Sequence, residues 1–425
     1  MSELLDEQLL SLLSDDSQSP SETTHVPPHE LPERVQNASE EALRAILETL
    51  SESHEDEWLT SVQTVAPMLV GMIRRGIEIG NALDSLGRVC QRLNGCPALQ
   101  TLLLRLLISA TDERASSLFA ELIVDIPQLE TRSYVEIFGD LLRRENRHIS
   151  PLFPAILGGL EKPALASFVL DFANYAYRNK FVDQHPAADR FAELCSLLST
   201  LSERLQKLQD DPPETEEDTV LLGKRVTESV ALGIALCDAL ACIGNEDAVA
   251  SLNKALQVEH RRLRVEAAAA LAKLGVEDAK KLLTAMAAEP IERLRVLHYA
   301  EELELIDDVD EEFSNIVARA EAEFVMFLAQ PTHFGIAPQH IELVDQRELA
   351  WPGYESPRNC FLFQYVYAFP DGEFTNIGIA GPVVMAFESD LTTLHQDDIY
   401  SIFAGWHVEH PDIFVTDVDL SLIHI

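Results

Sequence analysis

Basic side chains are scarce in this sequence: 32 lysines and arginines stand against 71 aspartates and glutamates, a formal charge of −39 at pH 7 over 425 residues. That excess repels phosphate backbones and anionic membrane surfaces, so no nucleic acid and no membrane is expected as a partner. Basic proteins, peptides and cations are left. Cysteine is sparse too. Cys90, Cys96, Cys195, Cys237, Cys242 and Cys360 are spread along the chain without CxxC spacing, and they read as core thiols in a reducing, cytoplasmic compartment, not as a disulfide framework. The start, MSELLDEQLLSLLSDD, lacks the basic residues, apolar run and cleavage site of a signal peptide. Nor does any stretch approach a membrane span on this reading, since the most apolar one, Thr101 to Ala110, is short and interrupted by Arg105.

What is present is ample apolar material, 47% of residues, enough for the cores of two or three domains. Residues 1–37 form an acidic, proline-rich arm. Leu5, Leu9, Leu12 and Leu13 make one stripe if Ser2 to Leu13 is helical, and Pro20, Pro27, Pro28 and Pro32 follow in a composition that cannot offset the entropy of folding. Over 38–209 helical spacing recurs, with Pro97 and Pro163 placed where a first turn accepts proline; a divergent helical array and a compact bundle are both allowed. An acidic linker at 210–218 carries two prolines. Residues 219–330 hold repeats, and 331–425 a small α+β domain. In that domain NCFLFQYVYAF (359–369), the Pro370-Asp371-Gly372 turn and Phe374 to Phe387 predict a hairpin, Asp397 to His407 a helix, and Asp412 to Leu422 a last strand.

The repeat is visible without gaps. ALGIALCDALACIG, RLRVEAAAALAKLG and RLRVLHYAEELELI start at residues 231, 262 and 293, a spacing of 31. Glu246-Asp247-Ala248 and Glu277-Asp278-Ala279 recur just after Gly244 and Gly275, where acidic residues suit a helix start. Val265, Ala268, Ala269 and Ala272 fall on one helical face, as do Val296, Tyr299, Ala300 and Leu303. A hairpin of this kind cannot cover its own apolar face, so the units stack into a solenoid.

RLRVEAAAALAKLGVEDAKKLLTAM resembles a HEAT repeat of the short bacterial type also found in phycobilisome lyases, over about a quarter of the chain. The resemblance implies a mainly α fold, an α-solenoid of HEAT-like hairpins with the small C-terminal α+β domain appended, and protein binding or scaffolding as the default activity. It supplies no catalytic residue for a lyase-like reaction. Deoxyhypusine hydroxylase, a HEAT-repeat enzyme, uses His-Glu pairs inside its repeats. Here the matching helix has Val265-Glu266, and the His-Glu pairs His29-Glu30 and His54-Glu55 lie outside the units.

No cofactor motif stands out. Asn376 to Pro382 lacks the ending of a phosphate loop, and its glycines fit a closely packed strand. His407 and His410, i and i+3 on the last helix with Glu409 and His395 nearby, are the candidate metal ligands, or else residues that complement a helix C-terminus. Arg261, Arg262, Arg264, Arg293 and Arg295 recur on stacked units and are the candidate binding residues; the other reading pairs them with Glu266, Glu292 and Glu301 of adjacent units. The sequence therefore predicts a cytoplasmic, non-enzymatic scaffold for a protein or peptide partner. The alternative is an enzyme or ligand- or metal-binding site in the C-terminal domain, marked by a deep pocket around His395, His407 and His410.

Overall fold

The computed structural model describes residues 43–410 apart from 45, 48–49, 51–57, 76–78, 94, 111–112, 128, 144–148, 211–215 and 371. The expected arm at 1–37, both His-Glu pairs, the middle of the acidic linker and the strand expected at Asp412 to Leu422 lie outside the described residues. The chain divides into two compact units, residues 1–189 and 190–425.

The first unit is helical: α1 (Trp58–Arg75), α2 (Leu83–Arg92), α3 (Pro97–Ser109), α4 (Glu113–Asp125), α5 (Thr131–Leu142) and α6 (Pro163–Arg178). Pro97 and Pro163 each open a helix, where a missing N–H leaves nothing unsatisfied. Helix α3 lies at the centre, against α1, α2, α4 and α5, and is buried on nearly every side. Its one charge, Arg105, is answered by Glu136 at 3.1 Å and Asp140 at 2.8 Å on α5. His185 is buried with Nε2 2.9 Å from Asn174 Oδ1 and Nδ1 accepting from the Ala187 N–H at 3.2 Å, a pattern that needs the neutral ring.

The second unit begins with α7 (Phe191–Asp210), followed by α8 (Glu216–Ile243), α9 (Val249–Leu256), α10 (Arg261–Lys273), α11 (Glu277–Ala285), α12 (Pro290–Glu302), the single turn α13 (Glu311–Ser314) and α14 (Ile316–Leu328). Helix α7 packs on α8 and α9, and α10 packs on α8, α9, α11 and α12. The hairpins therefore stack as the 31-residue period requires. Each stop is a left-handed turn, at Gly244 (φ 75°) and Gly275 (φ 84°), a conformation that glycine adopts without a Cβ clash. The third unit reaches the same turn with Glu304 (φ 57°), and the Leu305 N–H bonds back to Ala300 O at 2.7 Å as the Val276 N–H does to Leu271 O at 3.1 Å.

One sequence expectation is corrected here. Arg225–Ile243, within α8, is long and apolar enough to cross a membrane by length and composition. The sequence reading missed it because Asp238 interrupts the run. In this fold Leu232, Ile234, Leu236, Cys237, Ala239 and Leu240 are buried against neighbouring helices, so the helix serves as a core element.

Past Gln330 comes a four-stranded antiparallel sheet in the order β1-β2-β3-β4: β1 (His340–Leu349), β2 (Arg358–Phe369), β3 (Gly372–Ala380) and β4 (Met385–Ala386). Helix α15 (Gln396–Glu409) follows. The expected single strand from Phe374 to Phe387 breaks after Ala380, at Gly381 (φ 131°) and Pro382. Strands β2 and β3 carry buried residues on both faces of the sheet. Phe361, Phe363, Tyr365 and Tyr367 meet Ala320, Phe324 and Leu328 of α14, while Cys360, Leu362, Ile377 and Ile379 meet Ile399, Tyr400 and Phe403 of α15. Helix α14 thus belongs both to the stacked helices, through α12, and to the sheet.

Candidate functional site

The most chemically loaded region is the seam between α10 and α12. Glu266 stands at the start of an alanine-rich helix face and is only 3% exposed. A buried carboxylate must be paired or neutralised, and two donors meet it: Arg295 Nη1 at 2.5 Å and the Tyr299 hydroxyl at 2.5 Å. Burial works against the Arg295 guanidinium, yet Glu266, Tyr299 and Glu292 together outweigh it and hold the group above its ordinary range. The Tyr299 hydroxyl is pushed well up by burial and by the same carboxylate, and Lys273 Nζ lies 5.0 Å over its ring. Around this core, burial and Arg295 depress Arg262, and burial raises Glu292 despite the nearby Arg295 and Arg262.

The recurring arginines therefore have different surroundings. Arg293 is 3% exposed and donates to Ala287 O at 2.8 Å, Ala318 O at 2.9 Å, Ala288 O at 3.3 Å and the Glu321 carboxylate, tying α12 to α14. Arg295 ties α12 to α10. Arg262 is half-buried beside Glu266 and Glu292. Arg261 and Arg264 are exposed. The contrast between Arg264 and Arg295 follows from the period: one unit before Glu266 stands Ala235, so Arg264 has no carboxylate in the place where Arg295 finds one. No ion pair holds Arg264 among the described residues. Of the acidic partners expected from sequence, Glu266 takes Arg295, whereas Glu301 takes Arg319 of α14 at 2.7 Å.

Residues 223–304 match the family model for HEAT repeats. These units are HEAT repeats. The matched residues cover α9 to α12 and most of α8, the same helices that carry the charged seam, so the seam is an inter-repeat contact of a HEAT array. No curated protein and no solved structure matches the chain.

The histidines expected to bind metal each have another partner. His407 is buried, and its Nδ1 accepts from Trp351 Nε1 at 2.9 Å. His410 stacks on Trp406 with centroids 4.2 Å apart, its Nδ1 3.1 Å from Trp406 O. His395 instead caps the other end of α15, where its Nδ1 accepts from the Asp397 N–H at 3.3 Å; a helix of this length separates its ends by about 20 Å. Among the described residues, no three His, Cys, Asp or Glu side chains gather as a metal site. Sequence reasoning missed Tyr299 as a polar partner, treating it as one residue of an apolar stripe; the acidic Glu266 inside an alanine run was the signal that a donor had to face it.

Proposed function

We propose that this chain is a protein-interaction scaffold whose HEAT repeats bind a protein or peptide, with Arg261 and Arg264 at the contact surface. The observation that carries the reading is the division of labour in the arginine ladder. Arg293 and Arg295 lock successive helices together through buried ion pairs, while Arg261 and Arg264 face outward on the same array. Arg261 and Arg264 stand i and i+3 on α10, so a stack held in register offers both guanidiniums on one helix face to a partner surface. Two outward guanidiniums select for carboxylates on that partner. A cytoplasmic setting fits the six free cysteines.

The test is a titration. Full-length protein captures partners from native lysate, each partner is then purified, and its affinity is measured for the unmodified chain and for the Arg261→Glu, Arg264→Glu double variant. A loss of about tenfold or more, shrinking as salt is raised, is the expected result. Equal affinity for both proteins would place recognition elsewhere.

A further inference from the structure

The outer side of α15 faces a groove of about 580 Å³ whose walls include Phe387, Leu391, Leu394, Ile402, Trp406 and the glycine Gly405. Its apolar wall is open to solvent: Leu394 and Ile402 are each 40% exposed. One wall is built in advance. Asn376, fully buried, donates to Phe387 O and Ser389 O at 2.9 Å each and accepts from the Leu391 N–H at 3.0 Å. Phe387 stacks on Phe403 at 4.9 Å and meets the Trp406 ring edge-on at 6.1 Å. A wall already fixed loses little freedom when something binds against it.

Two features say what that something is. Gly405 lies inside a helix, where glycine is less stable than alanine, yet a Cβ added there meets nothing within 4 Å among the described residues. Among the described residues nothing packed against this position calls for glycine, and a bare helix surface admits the close approach of another backbone. The charges lining the groove are Asp390 and Glu409, both carboxylates, with no lysine or arginine among the lining residues.

We propose that this groove is a docking site for a partner peptide that combines apolar side chains, seated on Ile402 and Trp406 across Gly405, with lysine or arginine facing Asp390 and Glu409. The inference rests on the reading of the chain as an interaction protein, but on a surface separate from Arg261 and Arg264.

The experiment is a selection of random twelve-residue peptides on the full-length protein, counter-selected on full-length Gly405→Leu. That variant fills the groove where space is open, and its melting temperature confirms folding. The expected outcome is a set of peptides pairing apolar anchors with basic residues. Their synthetic versions lose about thirtyfold or more in affinity on Gly405→Leu, and Asp390→Lys with Glu409→Lys shifts preference to acidic versions. Absence of enrichment, or peptides that bind Gly405→Leu equally, would overturn the proposal, as would a dimer of the chain that Gly405→Leu dissolves. Peptides kept by Gly405→Leu but lost on the Arg261→Glu, Arg264→Glu variant would sustain the HEAT-surface reading and defeat this one.

Discussion

Half-buried Glu292 and buried His185 show how single titratable groups set the response of this fold to pH. Burial raises Glu292 above its ordinary value near 4.5, so its charged form opposes folding. Its contribution is most favourable below the ordinary value and is lost as pH rises through the raised one. Glu292→Gln is therefore expected to raise the melting temperature at pH 7, with the gain vanishing below about pH 4.5; a loss of stability at pH 7 would mean that attraction to Arg295 and Arg262 outweighs burial. His185 carries the opposite sign. Burial, with Arg178 nearby, lowers it from 6.5 to about 4, so its contribution is complete above 6.5 and falls away as pH drops toward 4. The shift corresponds to about 3 kcal/mol. Thermal scans from pH 7.5 to 4 should show a shallower loss in His185→Gln than in the unmodified protein. Glu266 differs from both, because it is buried with two donors in place. Replacing Arg295 by methionine strands that carboxylate and is expected to destabilise the protein by about 3 kcal/mol in chemical denaturation.

At the scale of elements, the helix-to-sheet contact depends on one absent side chain. Gly378 on β3 lies against the Phe324 ring of α14; a Cβ there would come 2.1 Å from Phe324 Cζ and 2.8 Å from Met385 O. Gly378→Ala should destabilise the chain by about 3 kcal/mol, and adding Phe324→Ala should recover part of the loss, which a denaturant series on the three variants would show. Helices of the stacked hairpins were legible in the sequence because alanine-rich faces repeat every 31 residues, and β2 was legible because NCFLFQYVYAF is buried on both faces. Strand β1 was not. It is an edge strand with no buried residue, a register irregularity between Leu343 and Asp345 and charges at Glu342, Asp345, Arg347 and Glu348, features that blunt an open edge and erase the alternation a reader looks for. The shared role of α14 was hidden for a related reason: one apolar helix reads the same whether it packs on a helix or on a sheet. For α15, helical spacing puts Ile399, Ile402, Phe403 and Trp406 on one face. The structure buries Ile399 and Phe403 and turns Ile402 and Trp406 toward the groove, a distinction that depends on what lies on the far side of the helix.

For the whole molecule, a charge of −39 repels acidic surfaces and attracts basic ones over long range. The few arginines matter more against that background. Of the arginines singled out in the sequence, Arg261 and Arg264 are exposed while Arg293 and Arg295 are committed to the seams, so the candidate residues separate into an exposed set and a stiffening set. Because α14 is packed on the sheet, cutting the chain after Gln330 would uncover Phe324 and Leu328, and the surface is best tested in the intact protein. The most direct test is hydrogen–deuterium exchange on the full chain, alone and saturated with a purified partner captured from lysate. The account predicts slowed exchange at the start of α10, around Arg261 and Arg264, and on the neighbouring surface of α12. Protection confined to residues outside 223–304 would contradict it.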